Sequence, residues 1–162
     1  MSEDLQLEFE PGTEAGEFDD EYVKETEEML ELEFTPEFIA FLKQHNGGIP
    51  KKRYFKLDDD VKVVEVFLNL FPDYEDDPKF GQFDIGVVWS EIEDRLNEYL
   101  IPFAAVYPGD FLCFDYEDND PPKIVLWDHN RSLEDEPVTY PVTDNFKQFL
   151  ALLTDDEDGE VS

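Results

Sequence analysis

The chain has 162 residues, 41% of them apolar and 15 of them phenylalanine, enough for one packed core of ordinary domain size. Its 43 acidic residues against 12 basic ones set a formal net charge of -31, and Cys113, the single cysteine, rules out an intrachain disulfide or a multi-thiolate metal site. That charge repels phosphate backbones and argues against direct nucleic-acid binding, and no apolar run reaches the roughly 18 to 20 residues that cross a bilayer.

Residues 1–19 hold Glu, Asp and Gly without Lys or Arg and without a sustained apolar period, so they are expected to form a flexible acidic arm outside the fold. The opening Met-Ser-Glu-Asp-Leu-Gln-Leu-Glu lacks the basic and apolar regions of a signal peptide, and a reducing cytoplasm is the expected compartment. From Asp20 onward Tyr22, Thr26, Met29 and Leu30 recur at helical spacing and predict a first helix. Thr35-Pro36-Glu37 predicts the start of a second. The hydroxyl caps it, the proline sits where an N–H would have no partner, and the carboxylate meets the positive end of the dipole. Phe38, Phe41, Leu42 and His45 form its inner stripe, with His45 expected to pack and bond to backbone. Asn46-Gly47-Gly48 is expected to close the helix through a left-handed glycine.

Lys51-Lys52-Arg53, the one basic cluster, reads as a local supplier of ion pairs, and segments 54–57 and 61–70 read as strands. Residues 71–85 mix Pro, Gly and acids with aromatics and predict a long surface loop. Val88, Trp89, Ile92, Leu96 and Tyr99 share one helical face and predict a third helix. Runs 101–106, 111–116 and 123–128, divided by Pro108-Gly109-Asp110 and by the turn composition of 117–122, predict an antiparallel meander. A last strand near 138–142 leads to a helix capped by Thr143 or Asp144, with Phe146, Phe149, Leu150 and Leu153 at i, i+3, i+4 and i+7. Residues 155–162 return to acidic composition as a flexible tail. The fold class is therefore α+β, with a central, mainly antiparallel sheet flanked by about four helices over residues 20–154.

Chemistry is harder to find. Nucleophilic catalysis needs a base, and neither histidine, His45 or His129, lies in a supporting motif. If the meander pairs simply, Asp110, Asp128 and His129 come together as ligands that a borderline divalent metal accepts. The competing reading has Asp110 tightening its own turn and Asp128 accepting backbone donors after its strand. Asp58-Asp59-Asp60 and the acids of 73–77 lack the spacing and glycine of a calcium loop, and no nucleotide or zinc motif occurs. No catalytic residue, cofactor or metal is assigned. Asp115, in an otherwise apolar run, must face solvent or find a partner, and Cys113 reads as an inert buried filler. The charge would steer a basic partner toward the chain, although solubility or adaptation to a salty cytoplasm accounts for it equally well.

The order of these pieces resembles the SUKH superfamily, shared by fungal cell-wall assembly regulators and bacterial immunity proteins. It is carried by Thr35-Pro36-Glu37-Phe38 with Phe41-Leu42 and Asn46-Gly47-Gly48, by Ile101-Pro102-Phe103-Ala104, and by Gly109-Asp110 with Cys113-Phe114-Asp115-Tyr116. It continues through Lys123-Ile124-Val125-Leu126-Trp127-Asp128-His129 to Phe146 and Phe149-Leu150. Phe-Thr-Pro replaces the usual Leu-Pro before the second helix, and a basic stretch replaces a glycine-rich one after Gly48. The resemblance implies a sheet packed by helices and a non-catalytic role, in bacterial members the neutralisation of a cognate toxin, often a nuclease. A nuclease presents a basic surface to its substrate, which an acidic inhibitor can occupy. The contacts are expected on loops, first at Asp73, Tyr74, Glu75, Asp76 and Asp77, with Tyr74 as anchor, then at Glu117, Asp118 and Asp120. The alternatives are an intracellular scaffold or regulatory module and, third, a small metal-dependent enzyme built on Asp110, Asp128 and His129.

Overall fold

Each helix begins at a side chain able to satisfy an orphan backbone donor. The computed structural model describes residues 8–57, 60–72, 76–96, 99–107, 109–117, 122–132 and 137–154. In it Asp19 accepts from the Tyr22 amide to start α1 (Asp20–Leu30), and Thr35 accepts from Phe38 to start α2 (Pro36–Gln44), with Pro36 in the first turn. Strands β1 (Tyr54–Leu57) and β2 (Asp60–Phe67) follow, then the short α3 (Pro78–Gly81), α4 (Ile85–Ile92) and a 3-10 turn at Glu93–Arg95. The remainder is β3 (Leu100–Val106), β4 (Asp110–Asp115), β5 (Lys123–Trp127), β6 (Thr139–Thr143) and α5 (Phe146–Leu152), which Asn145 caps. The strands make one six-stranded antiparallel sheet in the order β1-β2-β3-β4-β5-β6, an α+β arrangement with the expected meander at its centre.

Register decides which side chains share a face, because directly opposed residues in antiparallel strands point the same way. Phe114 opposes Ile124 and Leu112 opposes Leu126 on one face. There Phe114 and Phe103 stack at 4.5 Å, and both pack edge-on against Phe38 of α2, at 4.8 and 6.0 Å, while Phe146 of α5 lies 5.5 Å from Phe103. Aromatic pairs of this kind contribute about 0.5–1.5 kcal/mol each beyond the area they bury. Phe111 opposes Trp127 on the other face, where the Trp127 indole N–H donates to the Arg95 carbonyl at 3.0 Å and the Arg95 guanidinium lies 5.0 Å from the ring. Helices thus cover both faces.

Asn145, and not the expected Thr143 or Asp144, caps α5, and four larger expectations change. The acidic segment 1–19 does not stand outside the fold from residue 8 onward. Glu10 donates to Ile49 and Lys51 to Glu8, and Phe9 is buried against Phe41 and Phe67. A single buried ring has no period, so no sequence pattern announces it, yet its burial contributes about 1.5–3 kcal/mol. Residues 1–7 and 155–162 lie outside the described residues. Secondly, α2 ends at an extended His45, not at a left-handed glycine. Gly47 and Gly48 do have positive φ, of 76° and 112°, but they run the chain against β2, where Gly48 and Phe67 exchange backbone hydrogen bonds of 3.1 and 2.8 Å. A Cβ on Gly47 would stand 2.8 Å from the Asn69 Cβ and 2.9 Å from the Phe67 carbonyl oxygen.

Thirdly, the third helix starts at Ile85 and stops at Ile92. Asp84 inside the expected loop caps it, and Leu96 and Tyr99 lie beyond its end. Lastly, β2 ends at Phe67 because Leu68 turns its amide to Phe103 and Asn69 pairs with Phe83 and Ile85 instead.

Candidate functional site

Of the residues expected to bind a partner, Asp73, Tyr74, Glu75, Asp118 and Asp120 lie outside the described residues. Asp77 serves α3, its carboxylate accepting from the Lys79 amide at 3.2 Å and its carbonyl from Gly81 at 2.8 Å, while Asp76 is exposed. Glu117 is exposed, and its amide donates to the Asp115 carboxylate at 3.0 Å. Leu100 at the start of β3 opposes Asp115 at the end of β4, so Glu117 follows that end of the sheet. Asp115 opposes Lys123 in the ladder, and the Glu117 amide gives its carboxylate a partner.

Beside Glu117 lies a cleft of about 750 Å³ that sequence reading missed. Glu27, Glu28, Glu31 and Glu33 line it together with Tyr116 and Pro122. Two built contacts shape it. Glu27 accepts from the Phe34 amide at 2.8 Å, and the Tyr116 hydroxyl donates to the Glu33 carbonyl at 2.5 Å. Burial, then the Glu27 and Glu33 carboxylates, push the Tyr116 phenol well above its ordinary pKa, so it stays a neutral donor. The helical spacing of Glu27 and Glu31 was visible in the sequence, but their approach to Tyr116, across more than eighty positions, was not.

Asp84 is the other carboxylate that sequence reading overlooked, and it is 1% exposed. It accepts from the Tyr22 hydroxyl and the Phe71 amide, both at 2.8 Å, and from the Val87 amide at 3.1 Å. Burial pushes its pKa up, and the hydrogen bonds oppose that rise without cancelling it. Its signal was Phe-Asp-Ile ahead of an apolar run, a cap position. Asn46 acts similarly, donating to the Gly16 and Leu70 carbonyls and accepting from the Leu70 amide. His45 stacks on Phe9 with centroids 4.7 Å apart and reaches the Glu14 carboxylate at 2.8 Å, where bonding to backbone was expected. Arg53 pairs with Glu10 at 3.2 Å, the local role read for the basic cluster.

Asp110, Asp128 and His129 do converge, with one ligand atom from each within 4.8 Å of the others. Their contacts are those of a clamp between turns. One Asp110 oxygen accepts from both the His129 amide and its ring Nδ1, across the β4–β5 pair and not within its own turn as expected. Asp128 accepts from the Asn130 and Arg131 amides and from the Tyr140 hydroxyl. Burial raises the Asp128 pKa, but these donors and the Arg131 charge outweigh it and hold the group below its ordinary value. Cys113 is fully buried, and burial, then Asp115, push its thiol far up.

A family model, SUKH_6, described as SMI1-KNR4 cell-wall, matches residues 20–150. No curated protein and no solved structure matches the chain. Among the described residues no helix is long and apolar enough to cross a membrane.

Proposed function

Because this chain belongs to the SUKH family of protein-interaction modules, we propose that it is a non-catalytic immunity protein of the cytoplasm that binds and neutralises a cognate toxin, a nuclease domain with a basic surface. The observation that carries this reading is the net charge of -31 on a chain with a packed core. A field of that size raises the encounter rate with a basic partner by about 10- to 1000-fold at low salt, and the gain fades beyond a Debye length of about 8 Å at physiological ionic strength. The contact surface is built from Asp73, Tyr74, Glu75, Asp76 and Asp77, with Tyr74 as the aromatic anchor, and from Glu117, Asp118 and Asp120, and the glutamate-lined cleft at Tyr116 adds acidic surface. The binding module is the segment 20–154 with residues 8–19 packed onto it, and residues 1–7 and 155–162 add acidic flanks.

Co-expression with the product of the neighbouring gene tests this. Rescue of growth and a co-purifying complex whose association slows with salt are expected. Failure of both with folded protein in hand refutes it, and unchanged affinity after substituting Tyr74 and its acidic neighbours refutes the choice of loop. A second reading, an intracellular regulatory scaffold with several partners, is favoured by the cell-wall description of the matching family. It predicts no toxin gene next door.

A further inference from the structure

The two faces of the sheet are not covered equally. On the face that carries Trp127, register aligns Val66 of β2, Ala105 of β3, Phe111 of β4 and Trp127 of β5 in one row. Arg95 and its 3-10 turn close the Trp127 end. The Val66–Ala105 end stays open as a groove of about 420 Å³, walled by Phe80 and Phe83 of the α3–α4 segment. Val66 is 7% exposed and stands apart from the contiguous core. Tyr107, in the turn that follows β3, is 61% exposed.

The occupant follows from charge. Glu65 supplies the carboxylate on the groove. The one cation on the groove, Lys79, folds its ammonium to 5.1 Å from the Phe80 ring, so its stem extends the wall. An apolar groove with Glu65 on its edge, on a chain of charge -31, fits an apolar side chain flanked by cations. We infer that this groove seats a single aliphatic or aromatic side chain from a Lys/Arg-rich segment of a protein partner. The inference rests on the proposed partner class and adds a specific anchor point on the sheet.

The probes are two blocked peptides, Lys-Lys-Leu-Lys-Lys and Lys-Lys-Ser-Lys-Lys, titrated at low salt into the full ¹⁵N-labelled chain. The leucine peptide is expected to bind about tenfold more tightly, as partial burial of one leucine side chain gives. Its shifts should centre on Val66, Ala105 and Phe83, and Ala105→Arg, at a half-buried site that leaves the core alone, should abolish the preference. Glu65→Lys should weaken both peptides alike. Equal affinities, or leucine-specific shifts elsewhere, overturn the inference. So does self-association of the free chain that Ala105→Arg dissociates, which would assign the groove to a second copy. If the neighbouring gene product is neutralised equally by wild type and Ala105→Arg, the groove is refuted and the immunity reading stands. Leucine selectivity without any rescue by wild type upholds the groove and counts against the immunity reading.

Discussion

Asp84→Ala isolates the most heavily used carboxylate in the fold. The substitution removes the α4 cap and leaves the Phe71 amide and Tyr22 hydroxyl without their acceptor in a site that is 1% exposed. A lost cap costs about 1 kcal/mol. An orphaned buried donor adds about 1–3 kcal/mol, and the Tyr22 hydroxyl, which can turn to water, adds less. The expected loss is about 3–4 kcal/mol, a large part of the roughly 5–15 kcal/mol that holds a domain together. The pH dependence carries a second signature. Burial raises the folded-state pKa of Asp84 above its unfolded value near 3.8, so the folded state takes up its proton first on acidification. The contribution of that proton is fully present below the unfolded value and is lost as pH rises through the folded value. Wild type should therefore gain more stability than Asp84→Ala as pH falls from 7 toward the unfolded value near 3.8. Urea unfolding followed by Trp89 and Trp127 fluorescence measures both. A loss under about 1 kcal/mol at pH 7, or parallel pH profiles for the two proteins, would refute the role given to this carboxylate.

Phe9→Ala should destabilise the chain by about 2–4 kcal/mol, near the range for buried Phe→Ala, and a thermal melt matching wild type would return the segment to the solvent. Gly47→Ala should cost at least about 2 kcal/mol, because it combines φ of 76° with a Cβ 2.8 Å from that of Asn69. Gly16→Ala, with nothing within 4 Å of the added carbon, should be neutral or slightly stabilising in the same denaturation assay. Cys113 should resist a thiol reagent at pH 8 in the native state and react on unfolding in urea, and reaction at the rate of a free thiol would contradict its burial.

Local chemistry made most of the elements legible. Thr35-Pro36 marks α2 because a hydroxyl cap and a proline in the first turn act within four residues, whatever the rest of the chain does. The strands from Leu100 to Trp127 are near-continuous apolar runs between turn residues, and adjacent runs with short connections pair antiparallel. Asp128 accepts the Asn130 and Arg131 amides, as its place after a strand suggested. Where reading went astray, the deciding contact was distant. Phe9 depends on Phe41 and Phe67, and Tyr116 meets Glu33 across the chain.

Net charge, class of fold, the starts of α1 and α2 and the burial of Cys113 thus follow from the sequence alone, because composition and short-range hydrogen bonding are properties of neighbours in the chain. The glutamate cleft beside Tyr116, the Asp84 junction of α1 with α4, and the open groove over Val66 and Ala105 were decided by tertiary structure. Each joins segments far apart in sequence, and only the sheet register and the helix placement bring them within a hydrogen bond or a van der Waals contact of one another.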